Sequence, residues 1–247
     1  MQSILSSKFF KKLNRAPLIV ASIGSEKSLL NSVRKAKREG ADWLELRLDS
    51  FPLANKEAAV ALIEKVRKVS TLPLIATIRS AREQGKKSPK FKLDDSKRKE
   101  IFEKIIPFVE LIDIEISSHS INQSVIALAH KQKKKVILSY HDFSSVPSKK
   151  KINKLAAEFH ALKGDIFKIA VTPRNYKEMG EFLIHCSRLP LPYKIFIAMA
   201  EIGKISRMAS FSLGSCMTYG FATKETAPGQ LSVKELSNFR KTFYPKL

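Results

Sequence analysis

The chain has 247 residues, 44% of them hydrophobic, enough for a sizeable core in one large domain or two small ones. Two cysteines, Cys186 and Cys216, exclude a disulfide scaffold and fit a reducing cytoplasm, and no apolar run approaches the roughly 18 residues of a membrane helix. The net charge of +22 raises nucleic acid as a partner, but the lysines are spread along the chain on polar helix faces, with no basic arm interleaved with aromatics.

Residues 1–16 lack the apolar stretch of a signal peptide and read as an N-terminal extension. Strands are then expected at Pro17–Ile23, Asp42–Leu48, Pro73–Arg79 and Glu110–Ile116. Four more follow at Lys135–His141, Asp165–Val171, Tyr193–Met199 and Ser210–Thr218. Their spacing, about 30 residues, is that of a βαβ unit. Helical stripes lie between them. Leu29, Val33 and Ala36 precede Gly40 at a C′ position, Ala59, Leu62, Ile63 and Val66 form a second stripe, and Ile101, Phe102, Ile105 and Ile106 a third. Eight strand–helix units without a linker predict one α/β domain over 1–247, a (β/α)8 TIM barrel. An open doubly wound sheet is the alternative, but no G-x-G-x-x-G follows the first strand.

Ionisable residues gather toward the ends of these apolar runs. Glu45 and Arg47 end the second strand, Arg79 the third, and Asp113 and Glu115 lie in the fourth. His141 ends the fifth, and Lys168 sits late in the sixth. Carboxyl ends of barrel strands are where catalytic residues collect, and burying such groups without partners costs several kcal/mol each. A lysine in an apolar strand is expensive as an ammonium, which favours a free amine able to form a Schiff base with a carbonyl. A histidine one strand away suits proton transfer, and Arg47, Arg79 and Arg207 suit carboxylate and hydroxyl recognition. No H-x-x-x-H pair, P-loop or nucleophile elbow is present, so neither a metal nor an organic cofactor is expected.

The motifs "ELRLD" (Glu45–Asp49), "TIRSAREQG" (Thr77–Gly85), "SYHDF" (Ser139–Phe143), "KIAV" (Lys168–Val171), "SRMAS" (Ser206–Ser210) and "APGQL" (Ala227–Leu231) resemble, in this order, the type I 3-dehydroquinate dehydratases. The resemblance implies dehydration of 3-dehydroquinate, a small anion, to 3-dehydroshikimate in the shikimate pathway. It implies a cytoplasmic homodimer with no specific nucleic-acid partner and no membrane. In it, Lys168 forms the Schiff base, His141 is the general acid and base, and Glu83 orients that histidine. Arg207 and Gln230 hold the substrate carboxylate. Glu45, Arg47, Arg79 and Ser22 contact ring hydroxyls, and Thr226 stands where the family usually has serine. The stretch "KKSPKFK" after Gly85 departs from the family and alters the expected lid loop. The chain ends just past the last barrel helix, so no second enzyme is expected. A class I aldolase would share the lysine but does not require His141 with Arg207 and Gln230. A basic polyanion-binding protein would explain the charge but not the strand-end residues.

Overall fold

Every residue of the first strand, Leu18–Ile23, is buried. Leu18 and Val20 belong to one apolar cluster, while Ile19, Ala21 and Ile23 belong to another. A strand covered on both faces belongs in a parallel sheet with helices outside it. That is the architecture of the computed structural model, which describes residues 16–24, 27–53, 55–85 and 93–244.

In chain order the elements are β1 (Leu18–Ile23), α1 (Leu29–Glu39), β2 (Trp43–Arg47), α2 (Lys56–Arg67), β3 (Leu74–Thr77) and α3 (Asp95–Ile105). Next come β4 (Leu111–Glu115), α4 (Asn122–Lys131), β5 (Lys135–Asp142), α5 (Lys149–Ala161), β6 (Ile166–Val171) and α6 (Tyr176–Ser187). The chain continues with β7 (Lys194–Ala198), α7 (Ser206–Ala209), β8 (Met217–Phe221), β9 (Leu231–Ser232) and α8 (Val233–Phe243). The sheet order is β7-β6-β5-β4-β3-β2-β1-β8-β9, and every pairing is parallel. It curls until β7 meets β8. There the ring closes through one bridge between Lys194 and Ser215, with the Cys216 amide donating to the Lys194 carbonyl at 2.9 Å. The fold is a (β/α)8 barrel.

The helical stripes face the sheet as expected, and Gly40 follows α1 in the left-handed region. Among the described residues no helix is long and apolar enough to cross a membrane. The proposed extension lies, but for Ala16, outside the described residues, as does "KKSPKFK".

The last strand is a correction. Residues assigned to it from Ser210 form a 3-10 turn, Ser210–Leu213, that continues α7, and β8 starts only at Met217. Serine hydroxyls divert this stretch: Ser210 donates to the Ser206 carbonyl and Ser212 to the Ala209 carbonyl, giving the backbone local partners in place of a sheet ladder. Gly214, at φ 96°, then ends the turn.

Side chains alternate along a strand, which stacks the barrel interior in layers. The floor is Val20, Trp43, Ile75, Leu111, Ile137, Ile166, Ile195 and Met217, one residue from each of the eight strands. Two positions on, the same strands present Ser22, Glu45, Thr77, Asp113, Ser139, Lys168, Ile197 and Tyr219. Two further on come Arg47, Arg79, Glu115, His141, Ala170 and Met199. The polar chemistry therefore stands on an apolar plug.

Candidate active site

Glu45 and Lys168 belong to the middle layer, not to the strand ends where the sequence suggested them, since each is the third residue of its strand. Arg79 lies just past β3. The ammonium of Lys168 is 2.7 Å from Asp113 Oδ2 and 3.7 Å from Glu45 Oε1, and sits 4.1 Å from the centre of the Tyr219 ring. The apolar surroundings expected of its strand are thus replaced by two carboxylates, which β4 and β2 project into the barrel interior beside it. Glu45 is held in turn by the Ser22 hydroxyl at 2.5 Å and the Thr77 hydroxyl at 2.9 Å.

Asp113 divides its oxygens between two cations. Oδ2 takes Lys168, while Oδ1 accepts from Arg79 at 3.0 Å and from the Ser139 hydroxyl at 2.6 Å. Burial works against the anion, yet Arg79 and Lys168 outweigh it and hold the carboxyl well below the usual range. Arg79 also donates to Glu115 at 2.9 Å and to Ser139 at 2.7 Å, so its guanidinium is engaged mainly with protein groups. Arg47 is likewise bound through two nitrogens to Asp49, at 3.0 and 2.8 Å. Both arginines were expected as donors to a ligand; the structure pairs both with carboxylates.

His141 stands above Lys168, paired across the strands with Ala170. Glu83, in the 3-10 turn Ala81–Glu83, accepts the His141 amide at 2.8 Å and lies 3.1 Å from its Nδ1. Its other oxygen accepts the Ser117 hydroxyl. Burial, followed by the charges of Arg79 and Lys168, holds the imidazole well below its ordinary value, so it is neutral at pH 7. With Nδ1 donating to Glu83, Nε2 is left as a base. Glu83 moves the other way: burial first, with Glu115 adding, pushes it up to about 7 against Arg79, Ser117 and the His141 amide.

Arg207, on the one-turn α7, is buried and donates only to carbonyls: Gly229 at 2.7 Å, Pro228 at 3.2 Å and Tyr219 at 3.3 Å. Among the described residues no carboxylate lies within ion-pair distance of it. Burial pushes its guanidinium down to about 10, and it remains a cation at neutral pH. Such a group is a standing attraction for an anion. Gly229 makes the cradle possible. It lies at φ 68°, and a Cβ there would fall 2.1 Å from the Ala200 carbonyl oxygen. The Gln230 carbonyl oxygen accepts from the Thr226 amide and hydroxyl, at 2.7 and 3.1 Å, and from the Ala227 amide at 3.2 Å, which leaves its NH2 for a ligand.

One open cavity is lined by all ten expected residues: Ser22, Glu45, Arg47, Arg79, Glu83, His141, Lys168, Arg207, Thr226 and Gln230. Phe143, Ile197, Met199 and Tyr219 give it apolar walls. Sequence reasoning missed several residues that hold or surround the amine. Asp113 and Glu115 were noticed as strand residues but given no task, and Ser117, Ser139 and Tyr219 carried no signal of their own. Among the described residues no three His, Cys, Asp or Glu are grouped to hold a metal.

An amine, an imidazole–carboxylate pair and a buried guanidinium opening on one cavity at the C-terminal rim of a barrel define an enzyme active site. The type I 3-dehydroquinase family profile matches residues 17–245. The chain is 38% identical over 210 residues to 3-dehydroquinate dehydratase of Hydrogenobaculum sp. (strain Y04AAS1), covering 84% of this chain and 91% of that one. It is 34% identical over 227 residues to the Aquifex aeolicus VF5 enzyme of the same name, covering 92% and 99%. The crystal structure of the latter superposes with a TM-score of 0.81 over 92% of this chain and 99% of that chain, at 33% identity. A crystal structure of type I 3-dehydroquinate dehydratase from Clostridium difficile "with Covalent Modified Comenic Acid" gives a TM-score of 0.84 at 28% identity, covering 94% of each. The chain belongs to the type I 3-dehydroquinase family, and with it to the hydro-lyases.

Two measurements check this electrostatic reading. Glu83 binds its proton more tightly folded than unfolded, so its contribution favours folding at low pH and is lost as pH rises from about 4.5 through about 7. Glu83→Gln removes that dependence. In urea unfolding its midpoint should gain on the parent's between pH 5 and pH 8, whereas a constant difference would refute the raised value. The Tyr219 hydroxyl is buried with no hydrogen-bond partner among the described residues. Tyr219→Phe should therefore stabilise the fold by about 1 kcal/mol; a loss of stability would mean the hydroxyl is bonded after all.

Proposed function

We propose that the chain dehydrates 3-dehydroquinate to 3-dehydroshikimate, a step of the shikimate pathway, through a Schiff base on Lys168. The described barrel acts as one catalytic domain. The observation that carries the reading is the Lys168 amine opening on the same cavity as the His141–Glu83 pair, with Arg207 at the rim. The crystal structure of the Clostridium difficile relative, with its covalently modified ligand, lends support.

Arg207 and the Gln230 amide take the substrate carboxylate, and Ser22, Glu45, Arg47, Arg79 and Thr226 surround the ring. This fixes the C3 ketone over Lys168, and orientation of this kind supplies much of the rate. His141 Nε2 accepts a proton from the ammonium, and the freed amine adds to C3. One proton passes from the added nitrogen and one returns from His141 to the C3 oxygen, which leaves as water, and a positively charged iminium remains. The iminium acidifies C2. His141 removes a C2 proton, then delivers it to the C1 hydroxyl as that group departs as water. Glu83 steadies the imidazolium that forms between these events. Hydrolysis of the product iminium consumes one water and restores the ammonium beside Asp113.

Borohydride reduces an iminium to a stable amine. Treatment of the enzyme with 3-dehydroquinate and borohydride should add one ligand less its ketone oxygen, mapped by peptide analysis to Lys168 alone. His141→Ala should lose about 10²- to 10⁴-fold in kcat and still form the adduct. Lys168→Ala should form none. Turnover with no adduct, or an adduct on another lysine, would overturn the mechanism.

A further inference from the structure

Arg98 does not line the cavity, yet its side chain is fully buried. It leaves the first turn of α3, a segment whose sequence, "DSKRKE", reads as a solvated face. Instead of reaching water the guanidinium turns inward. Its Nε donates to the Ile78 carbonyl at 3.0 Å, and one terminal nitrogen to Asp95 at 2.7 Å and the Ser118 hydroxyl at 3.0 Å. The other terminal nitrogen pairs with Glu115 Oε2, which also accepts the Ser118 hydroxyl at 2.7 Å.

From that point an unbroken line of ion pairs leads to the amine. Glu115 Oε1 accepts from Arg79 at 2.9 Å and from the Ser80 amide at 2.9 Å. Arg79 holds Asp113 at 3.0 Å, and Asp113 holds Lys168 at 2.7 Å, with Glu45 at 3.7 Å beyond it. The order is Arg98, Glu115, Arg79, Asp113, Lys168, Glu45: three cations alternating with three anions, a net charge of zero. Asp95, a third exposed, marks the outer end where water can screen.

We propose that Arg98 is a positioning residue for the Lys168 amine, acting through Glu115, Arg79 and Asp113 by closing the charge balance of this buried line. The proposal rests on Lys168 being the nucleophile. Two consequences follow from its place. Without Arg98, Glu115 has only Arg79 to pair with, and Arg79 is drawn from Asp113, the carboxylate that fixes the amine. The line also carries one uncompensated negative charge, centred on the fully buried Glu115, where solvent screens it less than at the surface. Every proton-binding group that faces the amine feels the same sign. These are Asp113 from β4, Glu45 from β2, His141 from β5, Glu83 from the turn after β3, and Tyr219 from β8. The fixed cations among them are Arg47 and Arg79. An excess negative charge makes each group keep its proton to higher pH, and an excess positive charge does the reverse.

This gives a sign test on three variants, read as the pH dependence of kcat/KM. Arg98→Met, one charge more negative, should move the ascending limb up by about one pH unit, which is about tenfold at a fixed pH on that limb. Glu115→Gln, one charge more positive, should move it down. The double variant Arg98→Met/Glu115→Gln restores neutrality and should return the limb to the parental position. Should Arg98→Met alone fail to fold, the pair of requirements on Glu115→Gln and on the double variant still stands. A merely structural arginine predicts lowered melting temperatures with limbs that stay in place or move the same way in all three; either result overturns the proposal. Borohydride trapping on the parent separates the two levels. An adduct on Lys168 with unmoved limbs defeats the role of Arg98 alone, while no adduct in the parent defeats the nucleophile assignment beneath it.

Discussion

Asp113 has no exposed surface, and a carboxylate there is tolerable only because two cations share it. Arg79 takes one oxygen and Lys168 the other, and this division organises the site. It fixes the amine in the middle layer of the barrel, directly above the apolar floor. It brings two positive charges close to His141, which help keep that imidazole neutral. It also engages Arg79 with protein groups, and among the described residues Arg207 is the cavity arginine without a carboxylate partner. The internal charges are self-compensating, whereas the rim cation is left for an incoming anion. On the proposed mechanism, that contrast separates the machinery for bond-making from the machinery for binding.

The barrel's weakest seam supports this division. β7 and β8 meet through a single bridge, and the chain between them is released to form α7. Ser206 ties that helix back to the end of β7 by accepting the Ala198 amide at 3.0 Å and donating to the Gly203 carbonyl at 2.7 Å. Thr218 of β8 donates to the Arg207 carbonyl at 2.6 Å. Arg207 is therefore carried by an excursion from the barrel wall but anchored on both flanking strands, which places a guanidinium over the cavity without a strand to carry it.

Much of this was legible in the sequence, because period-two alternation in strands such as "ELIDIEI" and "DIFKIAV" maps directly onto layers. The eight-unit count, the helical stripes and the ten cavity residues follow from that pattern together with the family motifs. Two things resisted. The strand at Ser210 failed because apolar and β-prone residues there are outweighed by hydroxyl-to-carbonyl bonds and a left-handed glycine, both local effects that hydropathy does not register. The surroundings of Lys168 were misjudged because a strand's own sequence describes its two faces but not the neighbours that other strands supply. Asp113 and Glu45 reach the amine from strands 55 and 123 positions away in the chain, by subtraction of residue numbers, and only the closed barrel brings them together. Arg98 was hidden for a related reason, since a charged helix face gives no sign that one of its arginines points inward.

The central claim is that Lys168 replaces the ketone oxygen of the substrate with its own nitrogen and later returns a carbonyl made from water. Turnover in water enriched in oxygen-18 tests this directly, with product mass read early and compared with ketone left in the same water without enzyme. The account predicts that the C3 carbonyl of the product carries the heavy isotope in nearly every molecule formed. Product retaining its original C3 oxygen through a complete turnover would contradict it.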